Sequence, residues 1–117
     1  MAKILVVDDS WVARLGMTKL LVSLGHEVVE ASDGDGALKL MGDSPPDAVF
    51  LDLLMPGLDG FGVLTALGLR GSSVPVFVLS ADIQDTTRKR CIELGARQCL
   101  PKPPTRELVE SSLKAVL

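Results

Sequence analysis

Two adjacent aspartates, Asp8 and Asp9, a third at Asp52, a serine at Ser80 and a lysine at Lys102 each stand at the end of a short apolar run. Carboxylates brought close together raise one another's pKa unless a cation joins them. Hard oxygen donors of this kind suit Mg²⁺, which keeps several waters and recruits a phosphate. A lysine facing them adds a mobile positive charge and a serine adds a hydroxyl donor, so the three oxygens of a phosphoryl group can be shared among metal, ammonium and hydroxyl. Asp52, alone after Phe50–Leu51, then has the chemistry of a nucleophile that forms an aspartyl phosphate. Phosphoryl transfer asks for little beyond alignment and charge neutralisation, and these residue types supply both. Just beyond, Met55–Pro56–Gly57 reads as a type II turn, which leaves the Leu54 carbonyl free to coordinate.

These groups meet only if the elements carrying them end at one edge. The runs Ile4–Val7, Val28–Val29, Ala48–Leu51, Val74–Leu79 and Cys99–Leu100 alternate with stretches of helical period, a βα unit repeated along the whole chain. Uninterrupted Val, Ile, Leu and Phe runs predict strands buried on both faces of a parallel sheet. In such open α/β sheets, ligands bind beyond the carboxyl ends of the strands where strand order reverses. Ala13, Gly16, Met17, Leu20, Leu21 and Leu24 form one helical stripe after Ser10, a candidate N-cap. Asp59, Asp82 and Thr105 are the candidate caps of the third, fourth and fifth helices, and Gly25, Gly42, Gly71 and Gly95 the expected helix stops. The fold class that follows is α/β, a doubly wound five-stranded parallel sheet in an α/β/α sandwich, with residues 1–117 as one domain. An eight-unit barrel needs roughly twice this length.

Composition narrows the function classes. The 117 residues are 47% hydrophobic and carry a formal net charge of −3, with only 12 Lys+Arg, which argues against a nucleic-acid partner. Two cysteines, Cys91 and Cys99, are too few for a disulfide framework. No apolar run approaches a membrane span and the first residues do not form a signal pattern, so a cytoplasmic protein with no membrane partner is expected.

The segments Val6–Ser10 (VVDDS), Leu51–Gly60 (LDLLMPGLDG), Leu79–Ala81 (LSA) and Pro101–Pro103 (PKP) resemble, in order and spacing, the signatures of the CheY-like response-regulator receiver domain. The resemblance covers essentially the whole chain and implies sheet order 2-1-3-4-5. It implies Asp52 as phosphoacceptor, Asp9 as a direct Mg²⁺ ligand beside Asp52, Asp8 as its companion through water, and the Leu54 backbone carbonyl as a further ligand. Ser80 corresponds to the switch hydroxyl and Lys102 to the lysine that pairs with the phosphoryl group, followed by a cis peptide to Pro103. The implied donor is a sensor histidine kinase or phosphotransfer protein. The implied output is a separate effector, docked on the face of the fourth helix, fifth strand and fifth helix. Only one further helix fits after Lys102, so a stand-alone receiver is expected, one that catalyses only its own phosphorylation and dephosphorylation.

Two positions depart from the family pattern. Cys99 stands where an inward-turning Tyr or Phe is usual, and Pro101 replaces an apolar residue in the last strand, an edge that tolerates a lost N–H. Two other functions compete. A phosphatase of the haloacid-dehalogenase type needs an acid two residues after its nucleophile, where this chain has Leu54. A flavodoxin-like cofactor binder needs a phosphate loop where this chain has Asp8–Asp9. Elsewhere, His26 reads as a solvated surface residue, Cys91 as core, and Trp11 as a partly exposed rim residue. Arg88–Lys89–Arg90 reads as either a solvated face or a docking face, and residues 60–69 as an uncharged helix.

Overall fold

Five-residue runs that are apolar on both sides have no exposed face to offer, so they must be flanked by neighbouring strands and roofed by helices on both surfaces. The computed structural model describes residues 1–82 and 84–117. Among these, five strands alternate with five helices. They are β1 (Lys3–Val7), α1 (Trp11–Ser23), β2 (Glu27–Ala31), α2 (Gly34–Asp43) and β3 (Ala48–Asp52), followed by α3 (Gly60–Leu69), β4 (Val76–Ser80), α4 (Asp85–Glu93), β5 (Gln98–Pro101) and α5 (Arg106–Lys114). The strands pair in parallel in the order β2-β1-β3-β4-β5, as the resemblance implies.

Alternation along each strand sorts the core into two layers. Leu5, Val7, Val49, Leu51 and Val78 face α2, α3 and α4, whose Met41, Val63 and Cys91 close that side. Ile4, Val6, Phe50, Phe77 and Leu79 face α1 and α5, closed by Met17, Leu21, Val109 and Leu113. Phe50 and Phe77 sit on adjacent strands with ring centroids 5.3 Å apart, stacked in the second layer. All of β3 and β4 is buried. Their last residues, Asp52 and Ser80, are therefore polar groups at the end of a dry sheet.

Most caps stand where expected. Ser10, Asp59 and Thr105 accept from the backbone N–H groups of Ala13, Gly62 and Leu108. Asp33 does the same for α2. Gly25, Gly71 and Gly95 take the positive φ that ends a helix, and Gly57 has φ 74°, as the third residue of a type II turn requires. Gly42 does not stop α2, which continues to Asp43 with Ser44 as its C-cap. Pro45 follows Ser44, and a residue before proline is pushed out of the helical region, so the stop signal is the proline. Asp82 is not the N-cap of α4, because that position belongs to Gln84, two residues further on. The Asp82 carboxylate instead accepts from the Gln84 N–H (3.0 Å) and the Thr87 hydroxyl (2.7 Å), and these bonds hold its pKa below the usual carboxylate value. His26 is half-buried rather than solvated, its Nδ1 accepting from the Ala2 N–H at 3.2 Å. Gly16 lies open on the α1 stripe, while Met17 and Leu21 are buried.

Two glycines of α3 separate close packing from free surface. A Cβ on Gly60 would lie 2.8 Å from the Leu53 Cα and 2.9 Å from the Asp52 carbonyl oxygen, whereas one on Gly68 would meet nothing within 4 Å. Gly60→Ala is expected to cost about 1–3 kcal/mol in urea unfolding, and Gly68→Ala to stabilise by roughly 0.5–1 kcal/mol. Cys91 is fully buried, and burial first, then the neighbouring Cys99, pushes its thiol up to about 11. Alkylation at pH 8 followed by peptide mass analysis is expected to label half-buried Cys99 in the native protein and Cys91 only through the unfolding transition.

Candidate functional site

Because the four relevant strands are parallel, their carboxyl ends lie along one edge. Asp8–Asp9 leave β1, Asp52 and Ser80 are the last residues of β3 and β4, and Lys102 leaves β5. Register brings Asp52 opposite Leu79 and Ser80 opposite Pro101. Neighbouring strands are about 4.8 Å apart, and β5 is three places from β1, so only a long side chain can cross the edge. Lys102 does so. Its Nζ lies 2.8 Å from Asp8 Oδ2 and 3.2 Å from Asp52 Oδ2.

Asp8, Asp9 and Asp52 each offer a carboxylate oxygen, and these oxygens lie within 4.8 Å of one another. Asp8 and Asp52 are buried and Asp9 is exposed. Burial and then the Asp8 charge raise the Asp52 pKa above its ordinary value, against the lowering pull of Lys102. Burial alone would lower the Lys102 pKa, but its hydrogen bond to Asp8 and the Asp52 charge outweigh this and hold it above its ordinary value. Asp8 Oδ1 accepts from the Ser10 N–H at 2.9 Å, which ties the first carboxylate to the start of α1.

The expected residues assemble. Asp9, Asp52, Leu54, Ser80 and Lys102 line a shallow cavity of about 190 Å³. The Ser80 hydroxyl is engaged within its own loop, donating to the Asp82 carbonyl and accepting from the Asp82 N–H, each at 3.0 Å. Leu54 is 69% exposed. Trp11, the first residue of α1, is 66% exposed. Lys102–Pro103 is cis. Cys99 is half-buried against the layer containing Cys91. In the basic run of α4, Arg90 places its guanidinium carbon 3.8 Å from the Phe61 ring centre, so one of the three cations covers the uncharged α3 helix rather than facing solvent freely.

Arg14 is the residue that the spacing arguments pass over. Its Nη1 donates to the Asp8 carbonyl at 2.6 Å and its Nε to Glu30 Oε1 at 3.2 Å. The available signal was a cation in the opening turn of a helix, where the dipole favours anions.

The sequence profile described as the response regulator receiver domain matches residues 4–114. The chain is 35% identical to PilH of Pseudomonas aeruginosa, covering 100% of this chain and 98% of PilH. It is 40% identical to a probable transcriptional regulator, ycf27, of Guillardia theta, covering 98% of this chain and 45% of that protein. It therefore spans about half the length of several curated relatives that it matches. Among solved structures, the chemotaxis protein CheY4 of Vibrio cholerae superposes with a TM-score of 0.92 at 30% identity, covering 100% of this chain and 99% of that one. With the fold and the acidic edge in place, the chain belongs to the response-regulator receiver domain family of two-component signalling.

Proposed function

We propose that this receiver accepts a phosphoryl group on Asp52 from a phosphohistidine of a sensor kinase or phosphotransfer protein, and signals by phosphorylation-dependent binding to a separate effector. The observation that carries the reading is the meeting of three carboxylates with the Lys102 ammonium at one sheet edge. Receiver domains typically bind Mg²⁺ at such an acidic pocket. The donor set fits that ion, being all hard oxygens, three carboxylates against the single Lys102 ammonium. Asp9, Asp52 and the Leu54 carbonyl would hold it directly and Asp8 through water. When bound, the cation supplies positive charge to the phosphoryl oxygens.

The chain's own residues do the rest. An Asp52 oxygen attacks phosphorus as the bond from phosphorus to the donor imidazole nitrogen breaks, and the nitrogen leaves as neutral imidazole after taking a proton. Lys102, already 3.2 Å from Asp52, stays as the countercharge to the transferred group. Ser80 must give up the Asp82 carbonyl before its hydroxyl can turn to a phosphoryl oxygen. That release uncouples Asp82 from Ser80, and Asp82 is bonded in turn to Gln84 and Thr87 at the start of α4. Phosphorylation is thereby linked to the proposed docking face of α4, β5 and α5 without the usual aromatic, for which Cys99 stands. Output in a separate protein is supported by PilH and CheY4, both matched over nearly their whole length.

Incubation with Mg²⁺ and acetyl phosphate, followed by intact mass measurement, is expected to show one added phosphoryl group on the wild type and none on Asp52→Asn. Steady hydrolysis of phosphate esters with no adduct would contradict the reading. Ser80→Ala is expected to take up the group yet leave the amide NMR signals of Asp82, Gln84 and Thr87 close to their unphosphorylated positions. Wild-type shifts in that variant would remove Ser80 from the switch.

A further inference from the structure

We propose that Arg14 is a positioning residue for the metal-binding aspartates, acting through the Asp8–Asp9 peptide. The inference rests on the Mg²⁺ reading given above and extends it to a residue outside the carboxylate cluster.

Arg14 lies four residues after the Ser10 N-cap, in the opening turn of α1. A cation there opposes the helix dipole, and the turn holds no acidic residue to offset it. The side chain is nevertheless turned inward, only 15% exposed, between one acceptor on β2 and one just past the end of β1. Glu30 on β2 receives Nε, and the Asp8 carbonyl just past β1 receives Nη1. A guanidinium can serve two acceptors in fixed directions, where an ammonium is a single point charge.

The Asp8 carbonyl belongs to the planar peptide whose other end is the nitrogen and Cα of Asp9. Holding that oxygen at 2.6 Å therefore holds the plane from which Asp9 departs. The other bonds on Asp8 do not do this. Its N–H donates to the Ala31 carbonyl, and its carboxylate is shared by Ser10 and Lys102, which place Asp8 itself. Asp9 is exposed, and among the described residues its carboxylate has no hydrogen-bond partner, so its position is set by its backbone. Arg14 is the side chain that orients that backbone, and Glu30 holds Arg14 in place while cancelling its charge.

Positioning and simple electrostatics predict opposite signs. If Arg14 acted only as a nearby positive charge, its removal would tighten cation binding. If it orients Asp9, removal weakens binding, by about 10–100-fold for loss of a partner that aligns ligands. The test is a Mg²⁺ titration of the full chain followed by fluorescence of Trp11, its single tryptophan, which lies two residues from Asp9. It is paired with urea unfolding in chelator and in saturating Mg²⁺. Arg14→Ala is expected to raise the Mg²⁺ dissociation constant at least tenfold, Glu30→Gln less, and Arg14→Lys by an intermediate amount. Unchanged or tighter binding in Arg14→Ala would overturn the inference alone. So would an equal loss of stability in chelator and in Mg²⁺ with wild-type affinity. A wild type that binds no Mg²⁺ would overturn the metal reading and this inference together.

Discussion

Three carboxylates within 4.8 Å of one another need a cation among them, and Lys102 supplies it. The ion pairs are largely desolvated, with the Asp8 and Asp52 side chains only 4% and 7% exposed. Breaking such a pair leaves an uncompensated buried charge, which is more costly than the pair itself is stabilising. The acidic edge is thus a local strain on the protein, sustained because Lys102 crosses from β5 to reach it. The proposed Mg²⁺ would add to that countercharge.

The rest of the fold can be understood as the apparatus that holds this edge. Parallel pairing puts all four chemistry-bearing strand ends on one side, and the order β2-β1-β3-β4-β5 sets the Asp8–Asp9 strand directly beside the Asp52 strand. Full burial of β3 and β4, with Phe50 stacked on Phe77 beneath them, makes those strands rigid supports rather than flexible loops. Gly60 allows α3 to begin against the backbone of Asp52 and Leu53, so the helix following the proposed phosphoacceptor is locked to it at van der Waals contact. Arg90 then spans from α4 to Phe61 in the first turn of α3. That contact and the Ser80–Asp82 hydrogen bonds are two routes from the edge toward α4, in a chain with Cys99 where the family usually has an aromatic.

Much of this was legible in the chain itself. Short apolar runs ending in Asp8–Asp9, Asp52, Ser80 and Lys102 are a signal of period and position, and both survive into the folded state because they reflect burial. Gly42 does not end α2 because a glycine only permits a stop, whereas Pro45 actively excludes the helical conformation from the residue before it. At Asp82 a cap and a turn-forming aspartate look alike in sequence, and only the start of α4 at Asp85 separates them. Arg14 and Glu30 were invisible because their meeting depends on β2 lying beside β1, a tertiary fact that no local spacing encodes.

The central claim is that Lys102 and a divalent cation answer the same electrostatic need at one cluster. The direct test is urea unfolding of Lys102→Met beside wild type, in chelator and in saturating Mg²⁺. In chelator the variant should be less stable by about 3 kcal/mol, because its buried carboxylates lose their counterion. In Mg²⁺ most of that gap should close, since a ligand that binds only the folded state stabilises it in proportion to the logarithm of its concentration over its dissociation constant. A gap of the same size in both conditions, or no gap in chelator, would contradict the account.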